Sequence, residues 1–99
     1  MLNIEKTIEK GTAVFALAGR LDTVTAQELE QAIKESLDGV SALTLDFGKL
    51  DYISSAGLRV LLSAQKAMSR QGAMKLTNVN ETIMEIFEVT GFTDVLTIE

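Results

Sequence analysis

Ninety-nine residues, 46% of them hydrophobic, suit one domain with a core of its own and exclude a disordered tail. A net charge of −5 argues against broad nucleic-acid binding, which needs a basic footprint. The absence of cysteine and histidine removes disulfides, thiolate metal sites, the commonest metal ligand and the commonest general base.

No stretch approaches the roughly eighteen uninterrupted apolar residues of a membrane span. The opening "MLNIEKTIEKG" carries charges where a signal peptide needs an apolar centre. A soluble, cytoplasmic, acidic protein without metal or cofactor is therefore expected. With no proline, low-complexity tract or repeat to mark a linker, residues 1–99 read as one domain.

In chain order, Leu2 to Ile8 alternates as a strand, with Leu2, Ile4 and Ile8 on one face and Lys6 the exception. "EKG" turns the chain into "TAVFALAG", a second strand paired as a hairpin. Apolar residues on both its faces predict a strand covered on two sides. "DTVTAQELEQAIKESLDG" reads as a first helix, capped by Thr23 or Thr25 and stopped by Gly39. Ala26, Leu29, Ile33 and Leu37 form its buried stripe.

"SALTLDF" is a third strand. A second helix runs from about Ser55 to Gln71 with Gly72 as terminator, and "AMKLTNV" gives a fourth strand. "NETIMEIFEVTG" is a third helix, capped by Asn78 or Asn80, buried through Ile83, Ile86 and Phe87, and stopped at Gly91. "TDVLTIE" is a short final strand or extended tail. Strands separated by helices imply parallel crossovers within one sheet, giving an α/β fold of order ββαβαβα(β).

The second helix has the most unusual pattern. Gly57, Leu61, Ala64 and Met68 make its apolar stripe, helped by Leu58, Val60 and Ala67. On another face Ser55, Arg59, Ser63, Lys66 and Arg70 recur at steps of three and four, which stacks them into one basic stripe on an otherwise acidic chain.

Four readings of "DYISSAGLR" compete. Ser54 caps the helix, Ser55 fills the first turn and Gly57 permits close packing, with the basic stripe a solvated face. A serine nucleophile needs an adjacent base and an oxyanion hole, yet no histidine and no G-x-S-x-G elbow exists. A phosphate cradle has free amides, but "DFGKLD" lacks the P-loop spacing, and its "DFG" stands without other kinase signatures. The "NET" at Asn80 matches a glycosylation sequon without a secretory route.

In the fourth reading Ser55 accepts a phosphoryl group. Phosphoserine brings about −1.5 to −2 charges, which at the first helical turn meet the positive end of the dipole. Arg59, one turn on, can pair with it. The modified surface changes while the fold persists.

The order of elements, "GRLDTVTA" after the second strand, and "LDFGKLDYISSAGLRVLLSAQKAMSRQGAMKLTNV" together resemble the STAS domain, named for sulfate transporters and anti-sigma factor antagonists. "IMEIFEVTGFTDVLTI" resembles the closing helix and strand of the free-standing bacterial antagonists, so the resemblance runs from Met1 to Glu99. It implies a mixed, mostly parallel sheet of four to five strands with an N-terminal hairpin, flanked by three or more helices.

It also implies an antagonist, not an enzyme, in a partner-switching pathway regulating transcription. Such a domain binds an anti-sigma factor that is also a serine kinase with a histidine-kinase-like ATP fold. Phosphorylation releases that partner, and a metal-dependent serine phosphatase resets the switch, with neither nucleic acid nor membrane engaged. The family's acceptor serine lies two residues before the motif glycine, which with Gly57 as anchor is Ser55, and its acidic residue after the second strand matches Asp22.

The motif commonly has Asp where Ser54 stands and Ser or Thr where Ala56 stands. The implied partner-binding residues are Asp22, Ser54, Ser55, Gly57, Leu58 and Arg59. The alternative is a STAS scaffold or ligand-sensing module in a signalling assembly without a phosphorylation switch.

Overall fold

The computed structural model describes all residues, Met1–Glu99. β1 (Leu2–Glu9) and β2 (Thr12–Leu21) pair antiparallel around Lys10 and Gly11, both at positive φ, so the tight turn sits where the glycine predicts it. β3 (Ala42–Ile53) and β4 (Ala73–Thr77) add in parallel, giving one four-stranded sheet in the order β1-β2-β3-β4. Between the parallel strands run α1 (Thr25–Ser36) and α2 (Ser55–Met68), and α3 (Glu81–Thr90) follows β4.

The parallel strands step across the sheet in one direction. Two successive crossovers deliver α1 and α2, which pack against each other, to the same face. That face holds the core: Ala13, Phe15 and Leu17 of β2, Leu43, Leu45 and Phe47 of β3, and Met74 and Leu76 of β4 are buried. Leu29 and Ile33 of α1, Leu61 and Met68 of α2, and Ile83 and Phe87 of α3 close over them. The Phe87 ring lies between Phe47, 6.3 Å away, and Phe92, 6.5 Å away.

The other face corrects an expectation. β2 is not covered on two sides: Val14, Ala16 and Ala18 are only half-buried, opposite Thr44 and Asp46 or exposed β1 residues. Small apolar residues there mark the middle of an open sheet face rather than a second core.

β1 behaves as the sequence pattern indicates at one end only. Leu2 is buried and Ile4 half-buried, but Ile8 is 49% exposed, beyond the reach of the helices on this edge strand. Lys6, the break in the alternation, stands opposite Phe15 on the core side and donates to Ser36 Oγ of α1 at 3.3 Å. The residue stays exposed, so the charge is not buried.

β3 is longer than "SALTLDF". It continues through Gly48 to Ile53, with register shifts against β2 that carry Leu50 and Ile53 back to the core side. α2 ends at Met68 rather than Gln71, and the Gly72 amide closes onto the Met68 carbonyl at 2.7 Å. α3 starts on Asn80, whose side chain accepts the Ile83 amide at 2.9 Å, and stops at Gly91 with φ +81°. Beyond a 3-10 turn (Phe92–Asp94), the final strand reduces to a single bridge between Ile98 and Leu76.

Candidate docking site at the tip of the second helix

β2 and β3 run parallel, so their C-terminal ends leave the sheet side by side. Leu21 pairs with Ile53, and the Ser54 amide donates to the Leu21 carbonyl at 2.8 Å. The chain segments that start α1 and α2 are thereby neighbours at the carboxyl edge of the sheet, where open α/β sheets bind ligands and partners.

Asp22 follows β2 directly. Its Oδ1 accepts the Val24 amide at 3.1 Å and the Thr25 amide at 3.0 Å. Thr25 Oγ1 accepts the Asp22 amide at 2.8 Å, and its hydroxyl proton faces the Arg20 carbonyl at 2.7 Å and Asp22 Oδ1 at 3.1 Å. Neither Thr23 nor Thr25 is the side-chain cap expected from the sequence. Val24 occupies the cap position without a side-chain bond, and Asp22 serves the orphan amides from two residues further back. The signal was present as Asp-x-x-Thr, an acidic acceptor spaced to fold back on its own chain.

The Thr25 amide above all, then the Thr25 hydroxyl and Val24 amide, hold the Asp22 carboxyl below the usual carboxylate range against an opposing desolvation effect. Asp22 is therefore an anion at neutral pH. Its Oδ2 makes no hydrogen bond and is the atom left for a visitor.

The two serines separate cleanly. Ser54 is half-buried at the cap position of α2, and its Oγ accepts the Gly57 amide at 3.3 Å. Ser55 begins the helix, is exposed, and its hydroxyl has no hydrogen-bond partner. Neither hydroxyl is hydrogen-bonded to a lysine or carboxylate that would activate it as a nucleophile.

Gly57 and Leu58 are buried, which corrects their placement on a docking surface. A Cβ on Gly57 would lie 2.8 Å from Leu21 Cγ and 2.9 Å from Ile53 Cγ1. The glycine lets the first turn of α2 descend onto the sheet, and Leu58 anchors it; both position the tip from beneath. Arg59 is exposed and lines the groove between α1 and α2 with Thr23, Gln27 and Glu30.

Three residues not singled out from the sequence join this edge. Arg20 stacks over the Tyr52 ring at 4.3 Å, a pairing made by the β2–β3 register, and Tyr52 remains 39% exposed. Val24 stands 71% exposed at the start of α1. Strand register brings Arg20 to Tyr52 across thirty-odd residues of sequence, so only the large apolar Val24 in a capping segment was open to notice.

A hairpin-led mixed sheet, helices gathered on one face and a bare serine at a helix tip on the carboxyl edge define a small α/β module built around a surface rather than a cleft. The chain belongs to the STAS domain family, whose model matches residues 3–99. BtrV of Bordetella bronchiseptica, whose name proposes an anti-sigma factor antagonist, is 38% identical over 84 residues, covering 83% of this chain and 72% of BtrV. The crystal structure of an anti-sigma factor antagonist from Mycobacterium paratuberculosis superposes with a TM-score of 0.89 at 22% identity, covering 99% of this chain and 85% of that one. The phosphorylated form of the Bacillus cell fate determinant SpoIIAA matches with a TM-score of 0.75 at 20% identity, over 100% of this chain and 91% of its own.

Proposed function

We propose that this chain is an anti-sigma factor antagonist whose docking to an anti-sigma factor with serine-kinase activity is turned off by phosphorylation of Ser55. The chain is substrate and surface, not enzyme. The kinase brings ATP, magnesium and the catalytic base, and a metal-dependent phosphatase removes the phosphate. The need for ATP puts this exchange in the cytoplasm.

One observation carries the reading: Ser54 does the capping while Ser55 beside it is exposed and unbonded. A phosphoryl group on Ser55 displaces no internal hydrogen bond, and the helix dipole favours its charge. Relatives named as antagonists, and a structural neighbour described in a phosphorylated form, support the same reading.

Docking and writing share one surface made of Asp22 Oδ2, Ser54, Ser55 and Arg59. Phosphate there adds desolvation and repels any acid opposite. Juxtaposed like charges cost several kcal/mol, and each roughly 1.4 kcal/mol is tenfold, so one modification changes affinity by about a hundredfold or more.

The test starts from a Ser55→Ala bait, which retains its kinase. The kinase so recovered is purified and incubated with wild-type protein, ATP and magnesium, and the product is mapped by mass spectrometry. A single phosphate on Ser55, absent from the Ser55→Ala protein, is expected. Ser55→Asp should bind that kinase about a hundredfold more weakly than Ser55→Ala. Equal affinities would sink the charge mechanism, and a bound partner that never modifies Ser55 would make the domain a scaffold.

A further inference from the structure

The basic stripe of α2 is only partly absorbed by this reading, because it extends far beyond Ser55. Tyr52 to Asn80 contains four of the chain's nine Lys and Arg residues and none of its fourteen Asp and Glu. Three of those four, Arg59, Lys66 and Arg70, are exposed on the face that begins at Ser55. Arg59 and Lys66 lie within α2, and Arg70 sits in the turn that closes it.

None of the three is neutralised. The ion pairs of the molecule are Lys34 with Glu30 at 4.0 Å and Lys75 with Glu99 at 3.3 Å. Glu30 shares the α1–α2 groove with Arg59 but turns to Lys34. Fold stability accounts for the two at the C-terminal end and not for Arg59. Lys66 stands in the last turn and Arg70 just past the C-cap, where the helix dipole favours a cation, whereas Arg59 stands near the N-terminal end, where it does not.

We propose that Arg59, Lys66 and Arg70 form an electrostatic docking stripe for an acidic face of the anti-sigma factor that binds at Ser55. This rests on the reading of Ser55 above. A positive stripe on a molecule of net charge −5 has an orienting effect: the rest of the surface repels an acidic partner, and this face attracts it. Lys66 lies eleven residues from Ser55, about 17 Å along the helix axis, so its influence is exerted during approach as well as in contact. Phosphate on Ser55 then places negative charge at the head of the same stripe and weakens attraction before contact is made.

An acidic protein face fits better than the other anionic partners. Polybasic membrane contacts use clusters of about four to eight cations, more than this stripe offers. A nucleic acid would meet the acidic remainder of the chain.

The experiment uses full-length protein and the purified kinase recovered with the Ser55→Ala bait. Association and dissociation rates are measured by stopped flow for wild type and K66E/R70E at about 20 mM and about 300 mM salt, on either side of strong screening. The association rate should fall about tenfold or more at low salt, with the difference closing at high salt and dissociation nearly unchanged. K66Q/R70Q should show a smaller fall in the same direction, and circular dichroism checks that both fold.

An association rate unchanged at low salt overturns the proposal, as does a loss that salt does not alter. Sedimentation with phosphatidylglycerol vesicles, or a duplex DNA shift, that depends on Lys66 and Arg70 would assign the stripe elsewhere and equally overturn it. The outcomes are separable: Ser55→Asp matching Ser55→Ala defeats the switch, whereas the salt-dependent rate comparison tests the stripe alone.

Discussion

Asp22 and Thr25 bracket each other across the start of α1: Asp22 Oδ1 accepts the Thr25 amide at 3.0 Å while Thr25 Oγ1 accepts the Asp22 amide at 2.8 Å. The bracket ties up one carboxylate oxygen, Oδ1, and leaves Oδ2 without a hydrogen bond. Asp22 thus has a structural role at the start of α1 that can be read out on its own.

The stability readout depends on pH with a definite sign. Asp22 has a folded-state pKa below its ordinary value of 3.8. Its contribution is thus fully present above that value and is lost as the pH falls from there through the lower folded-state pKa. Asp22→Ala should melt a few degrees below wild type at neutral pH, and the difference should shrink on acidification through this window. Asp22→Asn keeps an acceptor oxygen and should lie between them. Thermal melts from neutral to acid pH decide the matter, and coincident neutral midpoints for wild type and Asp22→Ala would remove the bracket's role.

The adjacent serines should separate in urea. Ser54→Ala removes the side-chain cap of α2 and should cost about 1 kcal/mol. Ser55→Ala removes an exposed hydroxyl with no partner and should stay within about 0.5 kcal/mol of wild type. Equal losses would mean that the cap is shared.

Gly57 sits inside a helix, where alanine has the better intrinsic propensity by about 1 kcal/mol. Contact reverses that preference. A methyl at 2.8 Å from Leu21 and 2.9 Å from Ile53 must displace packed side chains, so Gly57→Ala should destabilise by about 1–3 kcal/mol. It should also weaken partner binding by shifting the α2 tip. A stabilised variant would show that Leu21 and Ile53 yield freely.

Arg59 lies one helical turn from Ser55 and is exposed. In the phosphorylated protein it should stabilise the dianion, so Arg59→Ala should raise the second phosphate pKa followed by phosphorus NMR. An unchanged titration would confine Arg59 to the docking stripe.

Much of the architecture was legible in the sequence because helices and capping are local. The stripe through Ala26, Leu29 and Ile33, the Asn80 start and Gly91 stop of α3, and the serine tip of α2 follow from spacings of three and four and from side chains bonding to nearby amides. The basic stripe, too, is a property of one helix and needs no neighbour to be seen.

Tertiary structure decided the rest, because periodicity says which side of an element is apolar and not what that side meets. Crossovers in one direction left the Val14, Ala16 and Ala18 face of β2 open. Register shifts between β2 and β3 carried the third strand past Gly48, stacked Arg20 on Tyr52 and set Asp22 beside Ser54. Close packing on Leu21 and Ile53 drew Gly57 beneath the surface on which the motif suggested it stood, and Leu58 is buried in the core beside it. Those outcomes depend on pairing between distant segments, which no local pattern of residues encodes.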